Sequence, residues 1–168
     1  TIGIVGMNEM CENFMGKDIL DPDAKKFCLD VSDFIREKLI AYQEETGHLY
    51  NYEATPAEST AYRFALKDKE LYPDIITQGS GKNVYYTNSC HIPVSKVESI
   101  SKTFAHQEEL QKKFTGGTVI HCYLEGAITG DQAKQIVKET ITNFGVPYMS
   151  LSPISRYCPE HGYVKEHV

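Results

Sequence analysis

Three hydroxyl side chains, Thr55, Ser59 and Thr60, cluster around Pro56. Thr55 is placed to cap a helix, Pro56 to take its first position without losing a hydrogen bond, and Glu58 to return a capping-box contact to the Thr55 amide. Such a helix start offers the free amides of Ala57 to Thr60, the positive end of the helix dipole and short hydroxyl donors. Together these attract an anion such as phosphate. The same residues also describe a well-capped helix that binds nothing. Glu58 weighs on that side, because a carboxylate in the first turn competes with a bound anion unless the cap holds it back.

A second polar stretch, Thr87-Asn88-Ser89-Cys90-His91, interrupts an otherwise apolar region. Cys90 beside His91 has the composition of an activated thiolate, although a small buried residue fits the position better. The five cysteines, Cys11, Cys28, Cys90, Cys122 and Cys158, are odd in number and lack pairing spacings, so a disulfide framework is not expected and a reducing compartment is. Cys11, Cys28 and Cys122 read as small buried hydrophobes.

The elements that must position these groups follow from periodicity and punctuation. Ile2 to Gly6 reads as an apolar strand, Met7 to Met15 as a helix ended by Gly16, and Asp21-Pro22 as the cap of a long helix closed by Gly47. On that helix Phe27, Val31, Phe34, Ile35, Leu39 and Tyr42 form a stripe expected to pack in the core. A strand from Leu49 to Tyr52 leads into the helix begun at Thr55. Val84 to Thr87 is expected as a strand, Val97 to Phe114 as a helix and Val119 to Leu124 as a strand. A helix capped by Asp131 and a strand over Tyr148 to Ser152 complete the series.

This alternation of helices and strands predicts an α/β fold with mostly parallel strands and helical crossovers. In such folds sites gather at the carboxyl ends of strands, here the 55–60 loop, the 87–91 segment and the region of Leu124 to Gly126. Thr115-Gly116-Gly117-Thr118 is expected at the opposite rim, unless antiparallel halves of a barrel bring it across. With 168 residues and 41% hydrophobic content, one domain with a sizeable core is expected. The net charge of -6, with no Lys/Arg run, argues against a nucleic-acid partner. No apolar run reaches membrane-spanning length, which leaves the cytoplasm as the expected location. The opening Thr1-Ile2-Gly3 and the closing Cys158-Pro159-Glu160-His161-Gly162-Tyr163 read as the edges of a piece of a longer protein.

Four segments occur in a telling order and spacing: Tyr50 to Glu58, Tyr85-Tyr86-Thr87-Asn88-Ser89, Thr115 to Thr118, and Cys158 to Tyr163. With the opening Ile2 to Glu9, the set resembles the carboxyl-terminal part of the anaerobic (class III) ribonucleoside-triphosphate reductases. The resemblance covers nearly the whole chain. It implies a ten-stranded α/β barrel of the ribonucleotide reductase and glycyl-radical enzyme type, of which residues 1–157 are roughly the second half. It also implies reduction of ribonucleoside triphosphates to deoxyribonucleoside triphosphates by glycyl and thiyl radical chemistry. The resemblance further implies a separate iron–sulfur activase that makes the radical using S-adenosylmethionine, and a homodimer for the complete protein.

On this resemblance the run from Thr55 to Thr60 corresponds to a phosphate-binding turn, with Ala57 to Thr60 as amide donors. Asn51 and Glu53 then point towards the nucleotide, and Asn88 and Ser89 belong to the same pocket wall, where a satisfied polar turn is an equal alternative. Residues 158–168 match the start of a zinc-binding segment, with Cys158 as its first ligand and His161 as a departure from the usual cysteine; zinc takes four ligands, so this pair is half a site. The glycyl-radical segment and the thiyl cysteine have no match here, so the chain is expected to be inactive alone. A nucleotide- or phosphate-binding α/β module, or part of another glycyl-radical enzyme, stands as the alternative.

Overall fold

Glycine and aspartate punctuate the first third of the chain where the sequence places them. The computed structural model describes residues 1–124, 126, 128–153, 156–158 and 162–164. A short strand β1 (Ile2–Gly3) leads through Gly6 into helix α1 (Met7–Met15), which ends at Gly16. Both glycines take the left-handed backbone, with φ of 78° and 69°, a region that costs glycine nothing. Helix α2 (Pro22–Thr46) starts as expected: the Asp21 carboxylate accepts from the amides of Asp23 and Ala24, and Pro22 opens the first turn. Gly47 closes it, donating its N–H to Gln43 O.

Strand β2 (Tyr52–Glu53), helix α3 (Glu58–Leu71), helix α4 (Ile100–Gln111), strand β3 (Ile120–Leu124), helix α5 (Gly130–Asn143) and strand β4 (Met149–Pro153) follow. A hairpin of β5 (Arg156–Cys158) and β6 (Gly162–Val164) comes last. β1 pairs in parallel with β2, and β3 with β4 over five residues, from Ile120↔Met149 to Leu124↔Pro153. Parallel neighbours require crossovers, and helices supply them here. The α/β reading and its parallel strands stand.

The 115–118 turn lies elsewhere than expected. Gly116 forms a parallel bridge to Glu53, and Thr115 donates its N–H to Tyr52 O at 2.8 Å. The Thr115 hydroxyl also bonds both the N–H and the carbonyl of Tyr52. This turn therefore joins β2 directly, on the same rim as the Thr55 loop. Gly117 makes the approach possible: its φ is 72°, and an added Cβ would sit 2.5 Å from Glu53 Cγ and 2.9 Å from Ala54 O.

The main core gathers Met7, Cys11, Cys28, Tyr52, Leu110 and Phe114, with the Tyr52 and Phe114 rings stacked at 4.5 Å. A smaller one forms where Phe104, Ile120 and Cys122 meet Phe144 and Met149. The expected α2 stripe is only partly buried. Phe27, Val31, Ile35 and Leu39 pack on the core, but Phe34 is 58% and Tyr42 46% exposed. The buried face runs through Ala24, Cys28, Ser32 and Leu39, rotated roughly a third of a turn from the Phe27–Phe34 line at 3.6 residues per turn.

Other boundaries also move. Val84 to Thr87 forms no strand; its ladder-type pairing is the isolated antiparallel bridge Gln78↔Tyr85, with a second bridge, Val5↔Asn88, just beyond it. A 3-10 turn, Val94–Lys96, precedes α4, and α4 is capped by the Ser99 hydroxyl. α5 is capped by Thr129 rather than Asp131, in a capping box with Gln132. Among the described residues no helix is long and apolar enough to cross a membrane.

Candidate functional site at the start of helix α3

Helix α3 begins later than the sequence predicts, and this changes the chemistry of its start. Its N-cap is Ala57, at φ -89° and ψ 60°, and no side chain caps it. The first intrahelical bond runs from Ala61 N to Ala57 O at 2.8 Å. Proline biases the residue before it towards extended backbone, so Thr55 stays outside the helix. Its hydroxyl donates to Glu53 O at 3.4 Å instead. The expected Thr55 cap and Glu58 capping box therefore do not form. The amides of Glu58, Ser59 and Thr60 keep no side-chain acceptor among the described residues, and the Glu58 carboxylate is not drawn back.

A cavity of about 620 Å³ opens at this point. Thr55, Pro56 and Glu58 line one side of it, and Asn88 and Ser89 another. Ile92, Val97 and Ile100 give it an apolar flank, and β3 contributes His121, Cys122 and Tyr123. Four of the predicted site residues, Thr55, Glu58, Asn88 and Ser89, thus share one cavity. Ala57, Ser59 and Thr60 belong to the same helix start but do not line the cavity. Arg63, one turn further on, reaches back to Ser59 O at 3.3 Å and Thr60 Oγ1 at 3.5 Å. Asn51 and Glu53 are not on the wall: Asn51 is exposed and donates to Thr1 Oγ1, while Glu53 packs behind, against Gly117.

The electrostatics separate spectators from candidates. Burial pushes the Cys90 thiol up to about 12; the neighbouring Ser89 hydroxyl opposes this only in part. Gln107 and Gln111 surround the thiol at 3.7 and 3.6 Å. Burial likewise raises Cys122 to about 11. Both remain protonated thiols at neutral pH, which suits packing and not nucleophilic attack. His91 is held down to about 4, first by burial and then by the nearby His121, so it faces the cavity as a neutral imidazole. His121 is braced by Ser150 Oγ at 2.8 Å from Nδ1, across the β3–β4 pair. The sequence reading missed His121 and Tyr123 as cavity-lining residues, and Arg63 as a side chain folded back on the helix start. A polar residue alternating with apolar ones on β3 was the available signal, but alternation alone does not say that an outward face lines a cavity.

The metal expectation falls outside what is described: His161 is not among the described residues, and of Cys158 only the backbone course in β5 is. Among the described residues no three His, Cys, Asp or Glu side chains are grouped to hold a metal ion.

Parallel strands joined by helices, with a cavity beside the carboxyl end of β2 and along β3, define a segment of an α/β barrel. The family model for anaerobic ribonucleoside-triphosphate reductase matches residues 1–168, and the chain belongs to that family. Among solved structures it is similar to an anaerobic ribonucleotide reductase at 21% identity and TM-score 0.76, covering 97% of this chain and 26% of that one. It is also similar to the Thermotoga maritima anaerobic ribonucleotide reductase with MES in the active site, at 23% identity and TM-score 0.75 over 97% and 27%. The same T. maritima enzyme in complex with dATP and CTP gives 23% and 0.74, with the same coverage. The chain thus spans about a quarter of the length of these structures. No curated protein matches it. At such identities the likeness establishes the fold, a part of the reductase barrel.

Proposed function

We propose that this chain acts within an anaerobic reductase that converts ribonucleoside triphosphates to deoxyribonucleoside triphosphates, and that it supplies the wall holding the substrate phosphates. One observation carries the reading: in a chain of this family, a helix start without a side-chain cap opens onto a cavity. The free amides of Glu58, Ser59 and Thr60 and the helix dipole favour an anion there, and Arg63 adds positive charge one turn along. Thr55, Ala57, Glu58, Ser59 and Thr60 form the phosphate side. Asn88 and Ser89 face the nucleotide from the opposite wall, and Asn51 and Glu53 hold the strand end behind it. The T. maritima relative binds dATP and CTP, which supports a nucleotide as the occupant.

In the complete enzyme hydrogen abstraction from the substrate ribose would come from a cysteine thiyl radical, generated in turn by a glycyl radical. This chain's own contribution is to bind, orient and shield the nucleotide. Activation by an iron–sulfur protein using S-adenosylmethionine, assembly as a homodimer, a cytoplasmic location and a zinc segment begun by Cys158 and His161 belong to the same proposal. The test has two parts. Incubated with activase, formate and a ribonucleoside triphosphate, the 168-residue chain is expected to form no deoxynucleotide; product would overturn its assigned passive role. In the complete polypeptide, replacing Ser59 and Thr60 by alanine is expected to weaken triphosphate binding several-fold, and unchanged affinity would remove the phosphate wall.

A further inference from the structure

We propose that Glu9, which does not line the cavity, is a positioning residue that aims Asn88 into it by way of Thr87. The inference rests on reading the cavity as a triphosphate site and extends it to a residue far away in sequence. Glu9 lies in the first turn of α1 and is 1% exposed. A carboxylate so deeply buried is costly unless its oxygens are fully hydrogen-bonded, and here both are engaged. Oε2 accepts the Thr87 N–H at 2.9 Å. Oε1 accepts the Thr87 hydroxyl at 2.7 Å and Asn8 Nδ2 at 2.9 Å.

Thr87 is thus clamped through backbone and side chain at once, and the chain on either side of Asn88 is tied to the start of the same helix. Gly6 N donates to Thr87 O at 2.7 Å and Met7 N to Ser89 O at 3.1 Å, while His91 N closes a turn onto Asn88 O at 3.0 Å. Ser89 takes a left-handed φ of 47°, the one non-glycine to do so among the described residues. Such a conformation persists where surrounding contacts over-determine it, and here the Glu9 clamp on Thr87 and the Met7 N–H on Ser89 O flank Asn88 on both sides. The Asn88 carboxamide takes no part in these bonds and borders the cavity half-buried. The network continues outward: Asn8 donates to Glu12 at 3.0 Å, and Glu12 pairs with Lys96 at 2.8 Å. Lys96 sits between Val94 and Val97, both on the cavity wall. One face of α1 therefore holds two segments of that wall.

The test is a double-mutant cycle in the complete reductase polypeptide, titrating ATP, CTP, GTP and UTP and measuring KM and kcat, with thermal melting of each variant alongside. Asn88→Ala is expected to weaken binding of the preferred triphosphate about tenfold. Glu9→Gln is expected to weaken it about fivefold, appearing in KM more than in kcat. The double variant should bind within about twofold of Asn88→Ala alone, because residues acting through one another are not additive. Multiplying losses would show that Glu9 acts through general stability, and would overturn the proposal. Where Glu9→Gln does not fold, Thr87→Val enters the same cycle with the buried carboxylate retained. If Glu58→Gln alters triphosphate affinity while Asn88→Ala does not, the cavity reading stands and this inference falls. If neither alters it, both fall.

Discussion

The two walls of the cavity are built in opposite ways. The α3 start is under-determined: no side chain caps it, Ser59 is exposed, and Arg63 folds back only at long range. The 87–89 segment is over-determined, with Glu9, Gly6 and Met7 together holding Thr87 and Ser89 in place. A wall of free amides and dipole can accept an anion without prior rearrangement, and loses little stability when its side chains change. A wall held by a buried carboxylate is rigid, and it ties the cavity's shape to the core. The comparison predicts that mutations of the groups bracing the rigid wall cost folding stability as well as binding, whereas those on the open wall change binding alone.

The largest effect should come from Glu9→Ala, which leaves the Thr87 amide and hydroxyl buried without their acceptor and the Asn8 amide with only Glu12. A loss of roughly 3 kcal/mol in denaturant unfolding is expected. A loss near that of an exposed substitution would break the contrast between the walls. Gly117→Ala comes next, at about 2 kcal/mol, because the new Cβ meets Ala54 O at a positive φ. A wild-type melting temperature in that variant would mean the 115–118 turn is free to move off β2.

The third prediction concerns pH. His91 titrates near 4 in the folded chain, against an ordinary value of 6.5. Between these values the unfolded chain binds the extra proton, so stability is full above about 6.5 and falls as pH drops towards 4. Roughly 1 to 2 kcal/mol should be lost across that window, after allowing for the opening onto the cavity. His91→Gln should flatten this part of the profile; an unaltered slope would assign the acid sensitivity to other groups. The smallest effect belongs to the open wall. Glu58→Gln removes a charge that opposes a bound phosphate and should tighten triphosphate binding about threefold, or roughly 0.6 kcal/mol, with stability nearly unchanged. Weaker binding in that variant would mean the carboxylate itself contacts the ligand.

Much of the scaffold was legible in the residues. Asp21-Pro22 and the glycines at 16 and 47 mark helix ends through local geometry, which no distant contact needs to support. Alternation of elements pointed to parallel pairing, and the four family segments with the opening Ile2 to Glu9 spread the resemblance over nearly the whole chain. The errors share a cause. Thr55 looks like a cap by local pattern, but Pro56 holds it extended and the chain turns only at Ala57. Val84 to Thr87 looks like a strand by composition, yet Tyr85 pairs only with the nearby Gln78, and Thr87 is held by the Glu9 carboxylate and the Gly6 amide from the start of the chain.

The amino-acid sequence by itself determined where helices begin and end around strong local punctuation, the α/β class, and the presence of hydroxyls and amides suited to an anion. Those properties depend on backbone preferences and spacing within a few residues. Only the tertiary structure decided that the helix start is open, that the 115–118 turn joins β2, and that Glu9 braces the facing wall. Each of these depends on which groups from distant parts of the chain satisfy one another once water is excluded, and a buried hydrogen bond leaves no trace in local sequence.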